Sequence, residues 1–441
     1  MNSEKNNTAM NKLNFKRFFF TIGFLCISLL GLSGCTGGGY NNQPWQNQQA
    51  QSGSAQQAPG NLNVPAVEGK ALGTPLSARD QGDVMPPTRV AILLPLSGQH
   101  AGLGQSMLQA AHMALMDMGH SNFELLPRDT GGTADGARRA ARQAVQDGAQ
   151  LMLGPVFSHS VRSARPIAQS ADINMISFST DWRLANNRTF LIGFLPFDQV
   201  ERVVRFSAAQ GITRIGVISP EDSYGNGVVA AFQAITQNSP ISTTRVERFS
   251  PKSNNLGSVM ASFTDYKQRQ ASKDAYGPPF DAVLMPVGGA TARQIGSFLN
   301  HYDMPSRTVR RLGTGLMDDP SLARDKSLDG MWFAAPDPKA RSKFEQRYKS
   351  LYYTEPERIA SLAYDATALA TVLARSGLQN TGYPAFDSAS IANPNGFAGV
   401  DGIFRFRKDG IVQRGLAVLE YRNGHIVVID QAPRSFQGSQ F

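Results

Sequence analysis

From residue 89 the chain alternates short apolar runs with longer amphipathic stretches. The run 89–98 (RVAILLPLSG) is followed by 104–119, where Leu108, Ala111, Leu115 and Met118 recur at helical spacing. Next come 123–130 (FELLPRDT), an Ala/Arg-rich helix over 133–147, 150–156 (QLMLGPV), a helix around 159–171 and 173–180 (INMISFST). The alternation restarts with a helix over 197–210, then 213–219 (TRIGVIS), a helix near 226–237, 243–250 (TTRVERFS) and a helix near 255–270. After these follow 280–287 (FDAVLMPV), a helix near 291–302, 310–315 (RRLGTG), 329–336 (DGMWFAAP), a long helical stretch over 338–376, and closing strands within 402–410 and 415–429. Short strands separated by helices of about 10–15 residues make βαβ units and a parallel, doubly wound sheet. The order predicts an α/β protein of two Rossmann-like lobes joined by a multi-strand hinge. Lobe 1 is assigned to 89–196 plus 338–395, lobe 2 to 197–337 plus 396–433, and 434–441 is read as a disordered tail. Crossings between lobes are expected near 195–197, 335–337 and 393–399. No internal repeat of solenoid length is present.

The first 88 residues follow neither periodicity. Lys12, Lys16 and Arg17 precede an apolar run, 18–32, that is shorter than the roughly 20 residues a spanning helix needs. A basic start and a short apolar core read as an export signal, 1–34, with a short membrane anchor as the alternative. The run ends in Leu32-Ser33-Gly34-Cys35, which resembles the lipobox of bacterial lipoproteins. That resemblance implies cleavage before Cys35 and lipidation of its thiol and amino group, and Thr36 after it implies sorting to the outer membrane. Three acyl chains at about 0.8 kcal/mol per buried CH₂ form an anchor that hardly dissociates. Residues 35–88, rich in Gly, Gln, Asn, Ser and Pro, have too little apolar surface to offset ordering entropy and read as a disordered lipidated tether. Its root-mean-square span is ~40 Å.

With 441 residues, 41% hydrophobic and 17% charged, the chain is long enough for a bilobal globular body. Cys26 and Cys35 are the only cysteines, which excludes a disulfide scaffold and Cys-rich zinc sites. The formal charge of +9 raises the question of nucleic acid. Without residues 1–34 the chain keeps 39 basic and 33 acidic residues, or +6. The basic residues lie on mixed faces such as Arg138-Arg139-Arg142 and Arg341-Ser-Lys343, read as solvated. For an exported, lipid-anchored chain, no nucleic-acid partner is expected.

No GxSxG elbow, Ser-x-x-Lys or HExxH occurs, and the six histidines have no metal-ligand spacing. His159 lies beside two serines, but a general base also needs an orienting partner. The reading is of a non-enzymatic protein with no catalytic residues, metal or cofactor.

Three segments carry a resemblance. Residues 90–98 (VAILLPLSG) followed by Gly102 and Gly104, then Leu153-Gly154-Pro155 followed by Ser158 and Ser160, then 220–227 (PEDSYGNG) resemble the type I periplasmic binding proteins of the leucine/isoleucine/valine-binding kind, over about 89–433. Residues 93–110, 151–161 and 192–211 are more similar still to the penicillin-binding protein activator lipoproteins, whose binding-protein-like domain activates a bifunctional peptidoglycan synthase. Members of that branch carry a helical-repeat domain before the α/β body, where this chain has 36–88. The resemblance implies a two-lobed cleft that could take a small polar ligand, and it implies that Tyr224 faces that cleft.

Open α/β sheets bind at the carboxyl ends of their strands, at the switch point. There Ser97 and Gly98 let backbone approach a ligand, Ser158 and Ser160 open a helix, and Ser179 and Thr180 end a strand with hydroxyls. Ser158 and Thr180 could equally be helix caps. In the leucine-binding kind an acid of the second lobe pairs with the ligand ammonium. The matching stretch here, 313–317 (GTGLM), has none, and Asp318 or Asp319 follows. Two functions stay open: an activator of a peptidoglycan synthase, and the solute receptor of an ABC permease.

Overall fold

A computed structural model describes residues 86–119, 122–237, 239–252, 255–271 and 277–437. The export segment 1–34, Cys35 and the tether up to residue 85 lie outside the described residues.

The first sheet begins with β1 (Thr88–Leu94), every residue of which but Arg89 is buried. Such a strand suits only a sheet covered on both faces. Helix α1 (Ala101–Met118), β2 (Phe123–Asp129), α2 (Ala134–Gln146), β3 (Leu151–Leu153), α3 (Ser158–Ser170), β4 (Asn174–Ser177) and β5 (Thr189–Leu191) follow. The strands run parallel in the order β2-β1-β3-β4-β5. Thr88, counted with the tether in the sequence, is the first residue of β1, and its N–H donates to Asn122 O at 3.0 Å.

After α4 (Pro196–Ala209) the alternation repeats with β6 (Arg214–Pro220), α5 (Ser223–Thr236), β7 (Ser242–Phe249), α6 (Leu256–Phe263), α7 (Tyr266–Ala271) and β8 (Ala282–Leu284). It continues through α8 (Gly289–His301), β9 (Arg310–Gly313), α9 (Pro320–Ala323) and β10 (Trp332–Ala335). The long helical stretch expected over 338–376 is two helices, α10 (Pro338–Tyr352) and α11 (Ala360–Thr381). Tyr353 takes a left-handed φ of 59° and Pro356 follows, so the chain cannot run on as one helix. Helix α11 packs along α1 and returns this segment to the first sheet.

The remaining elements are α12 (Ser388–Ile391), β11 (Phe397–Gly399), β12 (Gly402–Phe406), β13 (Val412–Arg414), β14 (Ala417–Arg422) and β15 (His425–Asp430). The second sheet has the order β15-β14-β10-β9-β8-β6-β7, parallel from β7 to β10 and antiparallel at β14 and β15. Strands β11 to β13 form a small antiparallel sheet of their own. It leans on the first sheet through the Leu191–Ile411 bridge and through Phe190 against Phe406, 5.4 Å apart. The chain therefore passes between the large sheets at 192–195, at 336–337 and at 415–416. The last passage comes later than the 393–399 expected, because Phe397, Phe404 and Phe406 are buried in the same apolar cluster as β1 and β3.

The tail is also more ordered than expected as far as residue 437: Phe436 is 7% exposed, with the Arg405 guanidinium 4.5 Å from its ring centre. An aromatic ring under an arginine has burial and cation–π attraction to hold it.

Both lobes start alike. A Cβ on Gly104 would lie 2.1 Å from Pro95 O, and one on Gly225 2.2 Å from Pro220 O. In each lobe the helix that follows the first strand thus rests directly on that strand's end, bringing its N-terminus to the edge where the loops gather.

Candidate functional site

The loops at the carboxyl ends of β1, β3 and β4 meet on the first lobe. Ser97 and Gly98 are exposed, in a turn held by Asp129, whose Oδ1 accepts from the N–H groups of Leu96 (2.9 Å), Ser97 (3.2 Å) and Gly131 (2.7 Å). Burial opposes the charge on Asp129, but the Ser97 hydroxyl and those three N–H groups outweigh it and lower its pKa. The His159 ring stacks on Phe157 at 5.7 Å with Nε2 2.9 Å from Gly132 O, and His100 packs on the same phenyl ring at 4.7 Å.

The hydroxyls expected here divide by role. Ser158 is half-buried at the first turn of α3, and Thr180 is exposed. Ser160 is fully buried and donates to Thr133 O at 3.3 Å, tying α3 to the start of α2. Ser179, 3% exposed, accepts from Asp181 N–H at 3.1 Å. Ser160 and Ser179 are therefore spent on holding backbone, while Ser97, Ser158 and Thr180 keep access to solvent.

Asp222 caps α5 by accepting from Gly225 N–H at 2.7 Å, and this cap orients Tyr224 in the first turn. The Tyr224 hydroxyl lies 2.9 Å from Thr314 Oγ1 and 3.3 Å from Gln199 Oε1. Gln199 Oε1 also accepts from Gly315 N–H at 2.7 Å, and both Thr314 and Gln199 are buried. Burial raises the phenol pKa well above its ordinary value, with the Thr314 hydrogen bond opposing. Tyr224 is thus half-buried and locked to α4 and to the end of β9.

Among the described residues, the contacts between the lobes include an aromatic one and a polar one. Trp182, from the loop after β4, meets Phe197 at 5.7 Å on α4, and its Nε1 lies 3.4 Å from where a Gly227 Cβ on α5 would stand. A polar contact joins the loop after β9 to the segment carrying α10 and α11. Asp318, its side chain 2% exposed, pairs with Arg341 of α10 and, at 3.3 Å, with Arg358 just before α11. Arg358 also reaches Asp401 at 3.5 Å and lies over the Phe194 ring at 4.6 Å. Asp401 accepts from the Ser361 hydroxyl at 2.6 Å. The Arg414 guanidinium lies 5.1 Å from the Phe194 ring centre and donates to Ile192 O at 2.6 Å. Beside it Asp365, fully enclosed, is pushed up to about 7 by burial and by the neighbouring Asp401 charge.

From the sequence, Asp318 or Asp319 is the candidate for the missing acid, and Arg341 reads as part of a solvated face. The structure corrects the second point: the Arg341 side chain is 14% exposed and ion-paired. Arg358, Asp365, Asp401 and Arg414 were not singled out, since their partners lie tens of residues away. Leu316, where the leucine-binding kind has its acid, is 46% exposed. Among the described residues no group of His, Cys, Asp and Glu side chains is placed to hold a metal ion.

A family profile described as periplasmic binding protein matches residues 87–425. Among solved structures, a putative branched-chain amino acid ABC transporter from Rhodospirillum rubrum is similar with a TM-score of 0.65 at 18% identity, covering 78% of this chain and 100% of that one. An ABC transporter substrate-binding protein from Sphaerobacter thermophilus has a TM-score of 0.61 at 18% identity, covering 79% and 98%. One from Desulfitobacterium hafniense, in complex with Leu, has a TM-score of 0.58 at 17% identity, covering 78% and 100%. An uncharacterized protein of Rickettsia prowazekii is 24% identical over 165 residues, 37% of this chain and 44% of its own length, so the match spans less than half of that relative. The profile over most of the chain, and the two largely parallel sheets joined by three chain passages, make this chain a member of the type I periplasmic binding protein family.

Proposed function

We propose that the protein is a non-enzymatic, lipid-anchored member of this family in the periplasm, attached through Cys35 to the outer membrane. It works by docking on a bifunctional peptidoglycan synthase rather than by delivering an amino acid to a permease. The observation that carries this reading is the pairing of Asp318 with both Arg341 and Arg358. An amino-acid receptor needs a free carboxylate in its second lobe, because a buried ammonium without a counter-charge is costly. The acid nearest that position is already neutralised twice, and Tyr224 is committed to Thr314 and Gln199. The same contacts hold one lobe against the other, which suits a rigid docking body.

The second reading, a transport receptor, draws on the similar solved structures, two of which are ABC transporter substrate-binding proteins, one of them holding Leu. Thermal unfolding with Leu, Ile and Val separates the two. A receptor gains about 2.7 kcal/mol at one hundred times Kd. We expect no such shift, and we expect the protein to raise the polymerising or cross-linking rate of its synthase by favouring the active conformation. A clear amino-acid shift that Tyr224→Ala abolishes, with no change in synthase rate, would restore the receptor.

A further inference from the structure

A groove of about 330 Å³ runs along the outer face of α4, bounded opposite by residues 413–416 and 430–433. Of its lining residues only Arg414 also belongs to the contacts between the lobes described above. Small-molecule sites begin at about this volume. On α4 its wall is Asp198, Glu201, Arg202, Arg205, Phe206 and Ala209, one helical stripe.

Two of the arginines are committed. Arg202 donates from Nε to Leu416 O at 2.9 Å, reaches Gln431 O at 3.1 Å and pairs with Asp430 at 2.8 Å. Arg205 pairs with Glu201 at 2.7 Å. Asp198 differs: its Oδ2 accepts from Arg414 N–H at 2.8 Å, but among the described residues no cationic side chain lies within ion-pair distance. The groove therefore holds two ion pairs, a third arginine, Arg414, whose guanidinium donates to Ile192 O, and one half-buried carboxyl that no cationic side chain pairs directly. Beside these polar groups Phe206, Ala209, Leu416 and Pro433 supply apolar lining.

We infer that this groove is a second small-molecule site, selective for a primary ammonium or guanidinium group on a short apolar body, with Asp198 taking the charge. An anion finds Arg202 and Arg205 already neutralised and meets the carboxyl instead. A neutral molecule gains the apolar wall but leaves Asp198 as it is. The reading is independent of what the cleft or the synthase does.

Burial pushes Asp198 up to about 7; Glu201 adds to this, while the Arg414 N–H and the charges of Arg407 and Arg414 oppose it. Arg405 and Asp430 also face the region. A cation binds the ionised carboxylate, so affinity rises with pH by about tenfold between pH 6 and 8 and flattens above.

The test is calorimetric titration of the full chain with n-pentylammonium, and with 1-pentanol and pentanoate as neutral and anionic counterparts. The expected result is binding of the ammonium alone, an at least tenfold loss in Asp198→Asn, and a comparable loss in Ala209→Trp, which fills the groove from an exposed position without touching the charge. Tyr224→Phe, in the cleft, leaves the affinity unchanged. Equal binding of 1-pentanol, full affinity in Asp198→Asn or Ala209→Trp, a flat pH profile, or no binding at about 10 mM ammonium would each overturn the inference.

Discussion

Arg358 and Asp318 lie 3.3 Å apart across the line between the lobes, one just ahead of α11, the other after β9. The pair exists because α10 ends at Tyr352 and the chain turns before α11 begins, delivering the guanidinium to an acid forty residues away. Removing the acid tests its worth. Asp318→Ala leaves Arg341 with only Glu345 and Arg358 with only Asp401 as acidic partners, and truncating a buried pair costs about 3–5 kcal/mol. Because Arg358 is 36% exposed, water recovers part of this. The expected loss is ~2–3 kcal/mol in urea unfolding, with a larger radius of gyration by small-angle scattering as the lobes part.

Tyr224→Phe deletes one hydroxyl and keeps the ring. Thr314 Oγ1, on a buried residue, loses its partner at 2.9 Å, while Gln199 Oε1 keeps the Gly315 N–H at 2.7 Å. The expected loss is about 1–2 kcal/mol by thermal or urea unfolding, with no effect on the synthase rate. A change in that rate at unchanged stability would place Tyr224 on the docking surface instead.

Stability should depend on pH below neutrality. Asp198 and Asp365 are both raised to about 7 in the folded protein, chiefly by burial, against about 4 unfolded. A raised carboxyl makes the folded state bind the extra proton. Its contribution is full below the unfolded pKa and is lost as pH climbs from about 4 to about 7, by up to ~1.4 kcal/mol per pH unit for each group. Asp365→Asn should flatten that slope, measured by denaturation at pH 5, 6 and 7. A slope unchanged in the variant would assign the effect elsewhere.

Gly104→Ala should be among the most damaging single-methyl additions. The new carbon meets Pro95 O at 2.1 Å, a backbone atom that cannot rotate away, so α1 must lift from β1. Overpacking of this kind costs about 1–3 kcal/mol, read in the midpoint of urea unfolding.

Cys35→Ser should release the protein from the membrane and leave its melting midpoint unchanged. Fractionation checks it; a variant still in the outer membrane would remove the lipid anchor from the proposed function.

The alternation of strands and helices was legible because burial on both faces of a parallel strand writes continuous apolar runs, as in residues 90–94. The class of fold followed from that. The break between α10 and α11 had a local signal, Pro356, masked by the helical composition around it. The clasp had none. Arg341 sits among charged residues that look solvated, and what makes it different is an aspartate brought to it by the fold. Ser160 and Ser179 show the converse: hydroxyls at strand ends read as ligand donors, while the structure spends them on Thr133 O and on the N–H of Asp181. Residue type locates the edge of the sheet, but which of its polar groups are free depends on neighbours that no window of sequence contains.

The three passages between the sheets lie side by side. The last is tied to the first where Arg414 reaches Ile192 O at 2.6 Å, and to the second where Ala417 pairs with Ala335. A body strapped at three adjacent points behaves as a door on a row of pins: it swings, but twisting or sliding would stretch at least one strap. Whatever partner reads this protein, the signal its shape can transmit is therefore reduced to a single angle, and the Asp318 pairings act as the bolt that fixes its value.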